Sequence, residues 1–180
     1  MTNEPKLTKT LSHFTEIEGW EYKNREYELF GEGIARKPTG FWLSDEEELG
    51  WKQWCHSEQF RPCTYEHKFD VDLRKILHLK SVPDILMFSA ENSGGIYHDK
   101  IDWTNTVKNY SGILITPYQW ECRLNRACDW YYGWDCASGC FWDLSCLTKI
   151  NEPKTIFYQH SLNPLDTKKR RRQGLDRGAG

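Results

Sequence analysis

No stretch of this 180-residue chain approaches the roughly 18 consecutive apolar residues that a membrane-spanning helix requires. The opening "MTNEPKLTKTLSHF" lacks the apolar core of a secretory signal, so a cytoplasmic location is expected, with no membrane partner. Charge of one sign is missing too. The 24 Lys and Arg stand against 26 Asp and Glu, and the formal net charge of -2 gives no global pull toward nucleic acid or lipid. "GIARKPTGFW" has neither the glycine spacing nor the Lys-Ser/Thr pair of a phosphate loop, and no nucleophile elbow occurs. Seven cysteines are an odd number, which does not suit a fully paired disulfide framework.

What the chain has in excess is rings. Nine Trp, nine Tyr and eight Phe bring large buried area with few rotatable bonds, which suits a small domain that also needs a ligand cleft. The length fits one domain, expected over 11–165, long enough to bury a core without metal or disulfide staples. Residues 1–10 read as a loose lead-in. Residues 166–180 read as a basic tail too polar to order itself. Its "KKRRR" block, from Lys168, is a solvated charge run on one reading and a nucleic-acid contact or address signal on another.

The periodicities give an α+β domain. "KLTKTLSHFTE" reads as a strand ending near Thr15, and "GWEYKNREYELFGEGI" as a charged helix or an irregular loop broken near Gly31 and Gly33. "GFWLS" is a strand after the Pro38-Thr39-Gly40 turn. "DEEELGWKQWCHSE" offers Ser44 or Asp45 as an N-cap with acidic residues in the first helical turn. Trp51, Trp54 and Cys55 then share one helical face. "YEHKFDVDL" alternates as a half-buried strand, with Tyr65, His67, Phe69 and Val71 facing one way. A short helix is expected from Pro83, another in "DWTNTVKNY" capped by Asp102 or Thr104, and a buried strand in "SGILITPY". "WYYGWDCASGCFWD" is too aromatic and too interrupted by glycine for a plain helix.

Among single residues, Cys136 and Cys140 are spaced for half of a structural zinc site, but no second close pair accompanies them, and buried thiols are the simpler reading. His13 in "LSHFTE" is a packed strand residue or a ligand contact. Glu121, just past the most hydrophobic strand, either lines a cleft mouth or pairs at the surface with Arg123 or Arg126.

Taken in order, "SHFT", "GFWLSDEEELGWKQWC", "EHKFDVDLRKILHLKS" and "YSGILITPYQWE" resemble the ADP-ribosyltransferases with a His-Tyr-Glu arrangement, the branch of diphtheria-type toxins and poly(ADP-ribose) polymerases. The resemblance runs from Leu11 to Glu121. It implies a split, two-sheet α+β fold with NAD in the cleft between the sheets, and transfer of ADP-ribose from NAD to a protein or nucleic-acid acceptor. On matching positions it implies that His13, with Phe14 and Thr15, holds the NAD ribose. Gly40, Trp42 and Ser44 form the next side of the cleft, Trp42 and Trp54 flank the nicotinamide where the family has Tyr, and Glu121 is the catalytic carboxylate. Asp135 and Glu152 are its alternatives, and no metal is implied. The residue types suit the chemistry. An aromatic face attracts a flat cationic ring, and a fixed carboxylate stabilises the positive charge that develops on the sugar as the glycosidic bond breaks. A competing expectation is a non-catalytic module that uses the same aromatic cleft to hold a nucleotide or a partner's side chain. A zinc-stabilised interaction domain is a third.

Overall fold

A computed structural model describes residues 7–29, 33–96, 98–150 and 154–155 of the chain. Its first strand, β1 (Thr8–Thr15), ends where the apolar pattern does but starts inside the expected lead-in. A two-residue strand, β2 (Ile34–Ala35), precedes β3 (Phe41–Ser44), and helix α1 (Trp51–Ser57) follows. The alternating segment forms β4 (Tyr65–Asp72), with His67, Phe69 and Val71 buried as the pattern requires. Then come β5 (Ile76–Leu79), α2 (Val82–Glu91), β6 (Ile101–Asp102), α3 (Thr104–Asn109) and β7 (Gly112–Ile115), whose four residues are all buried. Two 3-10 segments, Trp120–Cys122 and Arg126–Gly133, lead into β8 (Ser138–Phe141). Strands β9 (Leu147–Lys149) and β10 (Lys154–Thr155) close the described chain.

The α+β class is thus observed. Eight strands form one sheet in the order β10-β4-β1-β3-β8-β7-β5, with β9 also on β4, and β2 pairs with β6 in a small second sheet. Among the described strands only β5 and β7 pair in parallel; α2 and α3 lie in the connection between them. The sheet has a weak seam. β1 pairs with β4 along its whole length, from Thr8 opposite Asp72 to Thr15 opposite Tyr65, yet it meets β3 at the single pair Ser12–Ser44. On the other side of the seam, β3 pairs with β8 over four residues, Phe41 opposite Phe141 to Ser44 opposite Ser138. Pairing is continuous in name and nearly divided in substance between β1 and β3.

Apolar residues pack on both faces of the sheet. One cluster gathers Leu11, Phe41, Leu43, Phe69 and Phe141; the other gathers Trp103, Ile113, Trp130 and Trp134 with Ile85 and Phe88 of α2. The aromatic segment 126–141 supplies much of the second cluster. Trp130 donates its indole N–H to Ser89 Oγ at 2.7 Å, which satisfies a fully buried donor. Among the described residues no helix is long and apolar enough to cross a membrane.

Local sequence explains most boundaries, with one correction. Ser81 Oγ accepts the Asp84 amide at 3.3 Å to cap α2, and Asp102 Oδ1 accepts the Thr104 amide at 2.9 Å at the start of α3. The acidic run does not start α1. Its N-cap is Gly50, and residues 46–49 form a turn. The reason is that Asp45 has another task. Its buried carboxylate accepts Thr116 Oγ1 at 2.6 Å and pairs with Lys9 Nζ at 3.0 Å, which ties it to the end of β7 and to β1.

Candidate functional site

A cavity of about 960 Å³ opens at the seam between β1 and β3, at the upper end of the roughly 300–1,000 Å³ typical of ligand clefts. Ser12, His13 and Phe14 line it from β1, and Gly40 to Ser44 line it from β3 and its lead-in. Gly40 is needed for the close approach of β3 to β8: a Cβ there would stand 2.6 Å from Cys140 Sγ and 2.7 Å from the Phe141 carbonyl oxygen.

His13 crosses the seam. Its Nδ1 lies 3.1 Å from the Trp42 carbonyl oxygen, which only accepts, so Nδ1 carries the proton and Nε2 is left as the acceptor of the neutral ring. Burial pushes the imidazole pKa below its ordinary value, and the Arg61 charge adds to that while the Trp42 carbonyl opposes it. The ring packs against Phe41 at 4.5 Å and Trp20 at 4.9 Å between centroids. Trp42 faces the other way from Phe41 and packs on Trp134 at 4.8 Å. Ser44 Oγ donates to Glu46 Oε1 at 2.5 Å, and the Glu46 carboxyl is pushed up by burial against the pull of its hydrogen bonds.

Six of the seven residues expected to hold the ligand lie at this gap or its edge. His13, Phe14, Gly40, Trp42 and Ser44 line the main cavity, and Thr15 lines an adjoining recess of about 110 Å³ that shares His13, Phe14, Trp51 and Arg61 with it. Trp54 does not line the cavity. Because α1 begins at Trp51, that ring, one turn earlier on the same face, reaches the cavity, and Trp54 stacks behind it at 4.9 Å and 17°.

Glu121 is likewise outside the lining. It sits exposed on the 3-10 turn six residues after β7 ends, and the nearby Arg123 pairs with Asp135 instead. Asp135, shortly before β8, does line the cavity, and so does Glu21. The Asp135 oxygens lie 3.8 Å from Lys37 Nζ and 3.8 Å from an Arg123 nitrogen. Glu152 lies outside the described residues, as does the "KKRRR" block.

Two parts of the site had weak signals in the sequence. Segment 19–27, which contributes Trp20, Tyr22, Arg25 and Tyr27, has no regular structure and so no period to read. Trp134 and Asp135 belong to the aromatic segment before β8, where ring density was the only clue. The wall is rich in cations: Lys23, Arg25, Lys37 and Arg61 against Glu21 and Asp135. An anionic ligand bearing a flat ring suits that combination.

The thiols offer less chemistry. All seven cysteines are buried and unbridged; burial pushes Cys136 up to about 12 and Cys140 well above its ordinary value. Among the described residues no three His, Cys, Asp or Glu side chains are grouped to hold a metal ion, so Cys136 and Cys140 find no further ligands there. Comparison of the chain with family models, curated proteins and solved structures finds no match.

Proposed function

We propose that the cavity binds NAD and that the protein transfers its ADP-ribosyl group to a macromolecular acceptor, protein or nucleic acid, with release of nicotinamide. The observation that carries this reading is the seam: the β1 histidine and the β3 tryptophan, far apart in sequence, face one aromatic cavity where two halves of a sheet barely touch. The cation-rich wall supports it as well, since NAD carries a diphosphate.

In this reading His13 Nε2 accepts from a ribose hydroxyl, Trp42 and Trp51 hold the nicotinamide, and Asp135 takes the role first assigned to Glu121. The bond between ribose C1′ and the pyridine nitrogen breaks, and the electron pair leaves with the nicotinamide. Positive charge gathers on the sugar, where a fixed carboxylate stabilises it only as it develops. The acceptor's nucleophile then gives a lone pair to C1′ and loses its proton. Aromatic walls exclude the water that would otherwise intercept the sugar.

Nicotinamide release from NAD tests the assignment. Wild type and Glu121→Gln are expected to turn over at similar rates, with Asp135→Asn slower by about 10²-fold or more, the scale of losing one electrostatic stabiliser. An unimpaired Asp135→Asn variant removes Asp135 from the role. NAD binding without turnover by wild type identifies a non-catalytic nucleotide-binding module instead.

A further inference from the structure

Lys37 stands in an unusual position for a surface lysine. Its Nζ lies 5.3 Å from the centroid of the Trp42 ring, inside the roughly 6 Å range of a cation–π contact. The same atom is 3.8 Å from Asp135 Oδ2. One ammonium thus meets both an aromatic face and a carboxylate that the cavity offers to a ligand. Its aliphatic stem passes beside Gly133, where a Cβ would come within 3.1 Å of Lys37 Cε, so the glycine leaves it room.

The two cations on Asp135 are held differently. Arg123 donates to Tyr118 Oη at 2.8 Å, and its guanidinium carbon lies 5.4 Å from the Tyr132 ring centroid, so it is fixed from behind. Among the described residues Lys37 has the two looser contacts, with a side chain 40% exposed. When the lysine swings out to water, Asp135 still has Arg123 to orient it, and the Trp42 face is cleared.

We infer that Lys37 is an internal placeholder: its ammonium occupies the Trp42–Asp135 corner until a planar cationic ring displaces it, which makes Lys37 a specificity-determining side chain. The ring's identity as nicotinamide rests on the NAD reading above; the competition for the corner does not. A neutral ring has no charge to exchange for the ammonium at Asp135 and so does not compete with the lysine for the corner, which selects for charge as well as for flatness.

The test uses the full chain and two probes without phosphate, so that Lys37 cannot act by attracting a diphosphate. 1-Methylnicotinamide is a planar cation; nicotinamide is the same ring uncharged. Binding is followed by tryptophan fluorescence or calorimetry for wild type, Lys37→Met, Lys37→Gln and the double variant Lys37→Met with Asp135→Asn. Removing an exposed ion pair and its cation–π contact is expected to tighten binding of 1-methylnicotinamide about three- to tenfold in both single variants. Nicotinamide affinity is expected to stay unchanged, and the gain to vanish in the double variant. Unchanged or weaker binding of the cation in both single variants overturns the inference. So does an equal gain for both rings, or no binding of the cation to any of the proteins. Nicotinamide release from NAD is scored separately: tighter cation binding without any turnover ends the transferase reading and leaves the placeholder standing.

Discussion

His13 shows how much a single side chain can report about this protein. Its Nδ1 proton is committed to the Trp42 carbonyl, and burial lowers its pKa, so the ring is neutral in the folded state near pH 7. The sign of the stability effect follows. Below the ordinary value of 6.5 the unfolded chain takes up a proton that the folded chain resists, so stability present above that pH is lost as pH falls through the window beneath it. His78, also lowered by burial, contributes in the same direction, and Glu46, raised above its ordinary 4.5, contributes stability that is lost as pH rises through its folded value. Comparing His13→Gln with wild type cancels both. The variant is expected to lose less stability between pH 7 and pH 5.5, measured as urea midpoints; parallel pH profiles would contradict the proposed burial effect. The same variant is expected to bind NAD more weakly, as it loses the Nε2 acceptor.

At the scale of elements, α1 gives the sharpest contrast. Trp51 lines the cavity and Trp54 stacks behind it, so Trp51→Ala is expected to weaken NAD binding about three- to tenfold more than Trp54→Ala in parallel calorimetric titrations. Equal losses would mean that the stack acts as a unit and not through its front ring. In α2, Ser81→Ala removes the cap on the Asp84 amide and is expected to cost about 1 kcal/mol in denaturant unfolding, with ligand binding unaffected. How far these elements could be read from sequence depended on period. β1, β3, β4 and β7 have alternating or continuous apolar patterns and were legible as strands, β4 with its buried face as well. The α1 cap was misplaced because a buried side-chain task for Asp45 leaves no trace in local propensity. The aromatic wall at 19–27 and the approach to β8 follow no period at all, and only tertiary packing assigns them. That is why strand patterns bring His13 and Trp42 to the cavity lining, whereas Asp135 was one of three carboxylates left open.

On the scale of the whole molecule, the seam between β1 and β3 needs ties that do not fill it. Asp45 is one, since its fully buried carboxylate joins Lys9 on β1 to Thr116 beyond β7. Asp45→Ala leaves Thr116 without that acceptor and Lys9 with the exposed Glu47 carboxylate, 3.2 Å from its Nζ; the expected cost is about 1–3 kcal/mol in denaturant unfolding. A loss near zero would show that the ladder through β8 holds the halves unaided. The first hydrophobic cluster is another tie, since it packs Leu11 of β1 and Phe69 of β4 with Phe41, Leu43 and Phe141. Trp134 contacts both Trp42 and Trp130, so the cavity floor and the second hydrophobic cluster are one packed body. A rigid floor with a gap above it suits a cleft that must hold a flat ring in one orientation.

The most direct measurement is an experimental structure of the Asp135→Asn variant with NAD bound. The account predicts the adenine dinucleotide lying across the seam, the nicotinamide between Trp42 and Trp51, a ribose hydroxyl within hydrogen-bond reach of His13 Nε2, and residue 135 facing the sugar. NAD bound elsewhere, or in the cavity with its ribose turned away from both His13 and residue 135, would contradict it.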